Sequence, residues 1–273
     1  MSILLNVEKL SHGFGDQTIF KDISFRILRG EHVGLISANS ENKSMFTNMI
    51  TGKLKPDEGK VEWSKRIRVG YLDQHAVLEK GMTIRHILKS AFQYLIAIEH
   101  EMNNLYSKMG DVAPEKLEDL LEQVGTIQDT LTAQDFYQID AKIDETARGL
   151  GLTDIGLDKD VNDLSGEQRT RVLLTKLLLE KPDILLLDEP THDLDEVHIT
   201  WLTRYLQEYE NAFILISHDI PFLNSVINVV YHIENQELNR YVGDYNHFLE
   251  VYEMKKQQMQ AASKREDQRL TTG

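Results

Sequence analysis

Lys43 with Ser44, Asp188 with Glu189, and His218 are the residues whose types and settings can act on a polyphosphate. A lysine followed by a hydroxyl residue at a helix start supplies a cation for phosphate oxygens and a ligand for a divalent ion. Asp188 and Glu189 follow Ile184-Leu185-Leu186-Leu187, an aliphatic run that suits a strand buried on both faces of a parallel sheet. Ligands bind at the carboxyl edge of such sheets. There the first acid would hold Mg²⁺, directly or through water, and the second would polarise an attacking water. His218 ends another apolar strand, 213–216, within Ser217-His218-Asp219; its imidazole can contact a γ-phosphate and position the water held by Glu189. Each piece also has an ordinary reading. Acids after apolar strands are common, and His218 can be a helix-start residue beside a capping Ser217.

The segment 33–50 reads as strand, loop and helix, the setting of a phosphate-binding loop of pattern G-x-x-x-x-G-K-[ST]. The chain has Ser37-Ala38-Asn39-Ser40-Glu41-Asn42-Lys43-Ser44, followed by Met45, with the helix expected over 43–51. Ser37 and Asn42 replace both pattern glycines, and Ser40 fills a further position that is often glycine. Glycine serves there because the backbone takes positive φ and approaches oxygens closely. Another residue in that region costs about 1–2 kcal/mol, least for asparagine, so one or two such penalties weaken binding by about tenfold. The expectation is weakened but measurable ATP binding; the competing reading is a loop that binds no nucleotide, with Lys43 an ordinary helix-start lysine.

Further candidates are scattered more widely. Gln74 follows the short strand 68–72, where its amide can reach Mg²⁺ or the attacking water. Ser165 and Gly166 offer amides and a hydroxyl at a helix start suited to an anion, with Gln168 close behind; Ser165 can equally be a plain cap. Phe14 can stack on adenine or pack into its glycine-flanked turn. Asp195 can act at a subunit contact or cap the next helix. The histidines are not spaced as metal ligands.

These side chains need a scaffold. Segments 4–10 and 18–28 read as an antiparallel pair around the turn 12–16. From Thr83 to about Leu152 the chain is acidic and helical, with Leu117, Leu120, Leu121, Val124, Ile127 and Leu131 as an apolar stripe and a reversal near 110–114. Strands return with Ile184, then 211–216, 226–233 and an edge at 237–241. A long helix starts near Tyr245 and becomes polar and charged. The expected organisation is a core of 1–82 with 160–244, a helical region 83–159, and a helix from 245 to 273. At 273 residues the chain can bury a sizeable core. It has no cysteine and a net charge of -14, which repels phosphate backbones, so nucleic-acid contact would be local. The absence of thiols and of apolar runs near membrane-span length fits a cytoplasmic protein.

With these motifs in hand, the chain resembles an ATP-binding cassette protein, and more narrowly the amino-terminal half of an ABC-F protein. Gln74, LSGEQ at 164–168, ILLLDEP at 184–190 and Ser217-His218-Asp219 carry the general likeness. The acidic helical insertion and Tyr241-Val242-Gly243-Asp244-Tyr245-Asn246-His247-Phe248, leading into a charged helix, carry the narrower one. The resemblance implies an α/β fold, a P-loop NTPase cassette with an antiparallel β subdomain, a helical subdomain and an inserted helical arm. It implies ATP and Mg²⁺ as ligands and assigns catalysis to Glu189, His218 and Gln74. It gives metal binding to Ser44, Gln74 and Asp188, and nucleotide binding to Phe14, Ser37–Met45, Ser165, Gly166 and Gln168. In such cassettes ATP is sandwiched between the Lys43-type residues of one cassette and the Ser165-type residues of another. A second cassette is therefore implied, by homodimerisation or from a missing carboxyl-terminal half. The implied partner is the ribosome through rRNA, ribosomal protein or tRNA, and no membrane. The glycine-poor loop, Met45, Glu167 and His192-Asp193 after Thr191 depart from the family pattern and point to weakened turnover. A non-hydrolysing regulatory cassette and a transporter's nucleotide-binding subunit are the alternatives.

Overall fold

The computed structural model describes residues 2–72 and 76–272. They form two compact units, one of Met1–Tyr71, Pro182–His192 and Leu202–Gly273, the other of Leu72–Lys181 and Asp193–Trp201.

The first unit opens with β1 (Ile3–Phe14) and β2 (Gln17–Leu28), the expected antiparallel pair, turned by Gly15 at φ 61°. Then β3 (His32–Ser37) runs into α1 (Ser40–Ile50), and β4 (Glu58–Trp63) pairs with β1 to make a three-stranded antiparallel sheet of order β2-β1-β4. β5 (Val69–Tyr71) closes this stretch.

In the second unit, α2 (Ile84–Ser90) starts at a capping box in which Thr83 and His86 serve each other's amides. α3 (Gln93–Lys108) and α4 (Pro114–Ala133) pack together across a short connection at 109–113, so the chain reverses where the sequence placed the turn. The buried seam of α4 is narrower than expected. Val124 and Leu131 are buried, whereas Leu121 is 53 % exposed. Leu121 stands about 100° around the helix from Leu120, outside a contact that admits only one partner helix. α5 (Ile139–Gly149) and α6 (Gly166–Glu180) complete this unit, with Ile143, Val172 and Leu179 in one apolar cluster with Ile84 and Leu95. That shared cluster groups α6 with the helices, although the sequence reading assigned 160–244 to the core.

Back in the first unit, β6 (Ile184–Asp188) is buried along Ile184–Leu187, as its aliphatic run requires. After α7 (Glu196–Gln207) come β7 (Ala212–Ile216), α8 (Ile220–Val226), β8 (Val229–Glu234), β9 (Glu237–Val242) and α9 (Tyr245–Thr271). The second sheet has the order β5-β6-β7-β3-β8-β9, parallel throughout except for the β8–β9 edge. Gly34 on β3 lets α8 and the residue after it pack down, since a Cβ there would lie 2.7 Å from Ile227 Cδ1. Among the described residues no helix is long and apolar enough to cross a membrane.

Candidate functional site

Strand order assembles the site. β7 lies between β6 and β3, with Leu215 paired to both Leu187 and Gly34 and Ile216 paired to Asp188. Three adjacent parallel strands thus end together and bring Ser37, Asp188 and Ser217 to one sheet edge.

Glu189, the residue just past β6, is held at φ 48°, a left-handed conformation that costs a non-glycine residue about 1–2 kcal/mol. Its amide donates to the Ile216 carbonyl at 2.8 Å. The kink turns its carboxylate toward His218, whose backbone N–H donates to Oε2 at 3.3 Å and whose ring Nδ1 hydrogen-bonds Oε1. Glu189 is 28 % exposed and the His218 ring 77 %, so the pair has a covered acid behind an open imidazole. The helix-start role considered for this motif falls elsewhere. Asp219 caps α8 by accepting from Phe222 N at 3.2 Å, and the Ser217 hydroxyl accepts from Asp219 N at 3.1 Å.

Burial, and then the neighbouring Glu189 carboxylate, raise the pKa of Asp188, while Lys43 and His218 pull it back. Lys43 is only 7 % exposed, and its ammonium makes no hydrogen bond or close ion pair among the described residues. A lysine covered along its stem, beside a carboxylate that is costly to ionise, suits an anion that brings its own divalent ion. Among the described residues no three His, Cys, Asp or Glu side chains gather as metal ligands. Ser44 and Asp188 carry the oxygens that could share a divalent ion with a bound phosphate.

The phosphate loop departs from the sequence expectation. Helix α1 begins at Ser40 rather than Lys43, and no residue of 37–44 has positive φ. The strain expected at Ser37, Ser40 and Asn42 is thus absent, because the chain winds an additional turn instead. Asn39, an effective helix cap, accepts from Glu41 N at 2.9 Å through its side chain and from Asn42 N at 3.2 Å through its carbonyl. The Asn39 amide itself donates to the Ser37 hydroxyl at 3.3 Å. Ala38 is exposed, Ser44 is exposed, and Met45 packs against the core. Phe14 stands 72 % exposed at the end of β1 and lines an open cavity of about 310 Å³ with Ser40, Glu41, Ser44, Met45 and Asn48. An exposed ring excludes the packing reading and leaves a face for a base. Asn48 escaped the sequence reading; its only signal is its place one turn beyond Ser44.

Ser165, Gly166 and Gln168 lie in the second unit. Ser165 caps α6, accepting from Gln168 N at 3.2 Å, while Gln168 Oε1 accepts from Ser165 N at 3.1 Å. Gly166 is the first helical residue, and Glu167 is exposed in the first turn, where it favours the macrodipole. Asp195 takes its capping alternative, accepting from His198 N at 3.1 Å. Gln74 lies outside the described residues.

Comparison with known proteins bears on the chain as a whole. The ABC transporter family model matches residues 20–192. The chain is 71 % identical over 267 residues to the "Uncharacterized ABC transporter ATP-binding protein YfmM" of Bacillus subtilis, covering 98 % of this chain and 52 % of that protein. It is 32 % identical over 243 residues to the "Energy-dependent translational throttle protein EttA" of Haemophilus influenzae, covering 89 % of this chain and 43 % of that protein. The chain thus spans about half the length of these relatives. A solved "ATP binding subunit of ABC transporter" superposes with TM-score 0.62 at 19 % identity, over 88 % of this chain and 90 % of the other.

Proposed function

From the premise that the chain belongs to the ABC transporter family as an ATP-binding cassette, we propose that it serves an ABC-F-type protein that binds and hydrolyses ATP to act on the ribosome in translation. The observation that carries the reading is the meeting of Glu189 and His218 beside Asp188 and the buried Lys43 at one parallel-sheet edge. Lys43 neutralises phosphate charge. Ser44 and Asp188 would hold Mg²⁺, which would offset the charge of the terminal phosphates. Glu189 orients and polarises the attacking water, and His218 fixes the carboxylate and reaches the γ-phosphate. Phe14 offers its open face to adenine. Ser165, Gly166 and Gln168 serve nucleotide held by a second cassette, either another copy or another half of a longer protein. The translational name of the Haemophilus influenzae relative supports the ribosome as partner, and with it a cytoplasmic site of action. A net charge of -14 directs that contact to ribosomal protein or to the basic residues from Lys255 onward.

Co-sedimentation with ribosomes tests the reading. Glu189→Gln should lower phosphate release by about a hundredfold or more and hold the chain on ribosomes when ATP is present. Pelleting with membranes alone, with no ribosome association in any nucleotide state, overturns it.

A further inference from the structure

We propose that Ser37 and Asn39 form an internal latch that occupies the phosphate loop in place of a nucleotide; the inference rests on the reading of this loop as the ATP site. A phosphate cradle works by pointing free backbone amides at the ligand. Here three of those amides are already used. The Asn39 amide donates to Ser37 Oγ at 3.3 Å, the Glu41 amide to Asn39 Oδ1 at 2.9 Å, and the Asn42 amide to the Asn39 carbonyl at 3.2 Å. The Asn39 carboxamide oxygen therefore stands where a phosphate oxygen would accept. One turn further on, Lys43 is 7 % exposed as a whole residue and makes no hydrogen bond or ion pair among the described residues, so its stem is covered while its ammonium is left to meet an anion.

Both features follow from the same substitutions. Without glycine, residues 37–42 cannot take the left-handed turns of an open cradle cheaply. They fold instead as a capped first turn of α1, leaving Lys43 prepared and its neighbouring amides closed. Nucleotide then enters only as Asn39 lets go and that turn unwinds. Affinity is set by a competition between the Asn39 oxygen and phosphate for the Glu41 amide, which makes Asn39 a positioning residue of the site.

Calorimetric titration of the chain with Mg-ATP, checked by thermal melting for folding, tests this. Asn39→Ala removes the competing oxygen and should bind roughly fivefold more tightly than the parent, from the usual worth of a helix cap. Asn39→Asp keeps the oxygen, adds a negative charge and should bind more weakly. If Asn39→Ala does not fold, Ser37→Ala, which frees only the Asn39 amide, carries the test with a tightening of about twofold. An alanine variant that folds and binds no more tightly than the parent overturns the latch. Silence from every variant, including Ser37→Gly/Ser40→Gly/Asn42→Gly, overturns the ATP-site reading beneath it, a result distinct from parent-like binding.

Discussion

The two helix starts assigned to phosphate, α1 at Asn39–Ser44 and α6 at Ser165–Gln168, solve the same problem with different chemistry. Each helix presents amides that need partners, and each is capped by a residue of its own chain. At α6 the cap is a hydroxyl in a reciprocal box. Ser165 Oγ accepts from Gln168 N and still has its own O–H to give to an anion, so capping and anion binding can coexist. At α1 the capping atom is the Asn39 carboxamide oxygen, which can only accept. A phosphate seeking the same amide must displace it. At Ser165 one atom both caps and donates, whereas at Asn39 the capping oxygen and the donor NH2 are separate, so an anion that takes the Glu41 amide must displace that oxygen.

The largest expected effect is at Lys43. If α1 owes its ligand to the Lys43 ammonium rather than to open amides, Lys43→Ala should weaken Mg-ATP binding by about a hundredfold, read by calorimetry. A loss of threefold or less would mean that both starts bind through backbone alone and would erase the contrast. Next comes the box itself. Ser165→Ala should cost about 1 kcal/mol, lowering the nucleotide-free melting temperature by about 2–4 °C. An unchanged melt would show that Ser165 contributes no stability as a cap.

The smallest effect concerns pH at Asp188, which faces Lys43, Glu189 and His218. Its pKa is raised above the ordinary 3.8 by burial and by Glu189, so the native state favours the neutral acid. Stability from this group therefore grows as pH falls through the raised value and is lowest at neutral pH, where the carboxylate is ionised. Asp188→Asn should melt slightly above the parent at pH 7, converge with it at low pH, and lose the Mg²⁺ dependence of ATP binding. Melting curves across pH decide the first part. A variant that melts below the parent at every pH would show that the ionised carboxylate stabilises the edge.

Legibility followed the strength of local signals. The aliphatic run 184–187 suited a doubly buried strand, and the acids beyond it lie at the sheet edge for that reason. Ser165 was legible as a plain cap, but its reciprocal bond with Gln168 was not read, although hydroxyl and amide at that spacing reach each other's backbone. The start of α1 was misread because the pattern was matched to a glycine-bearing loop, whereas Asn39 followed by Ser40 and Glu41 is also a good helix start. Leu121 was counted into a stripe whose width depends on how many helices flank α4, which no single helix encodes. The positive φ of Glu189 had no sequence signal, because it is imposed by the bond to Ile216 and the pairing with His218.

Helix α9 carries a mechanical consequence. It has 27 residues, of which only Phe248 is buried, and at 1.5 Å per residue it reaches about 40 Å. Its root is gripped by rings, with Phe248 against Tyr241, His232 and Tyr252 at centroid distances of 4.9, 5.1 and 5.7 Å. The Tyr252 hydroxyl is tied to Glu234 at 2.7 Å. Such a helix is a lever. A tilt of about 5° at that aromatic socket, too small to break a ring contact, swings the far end by roughly 3–4 Å over this length.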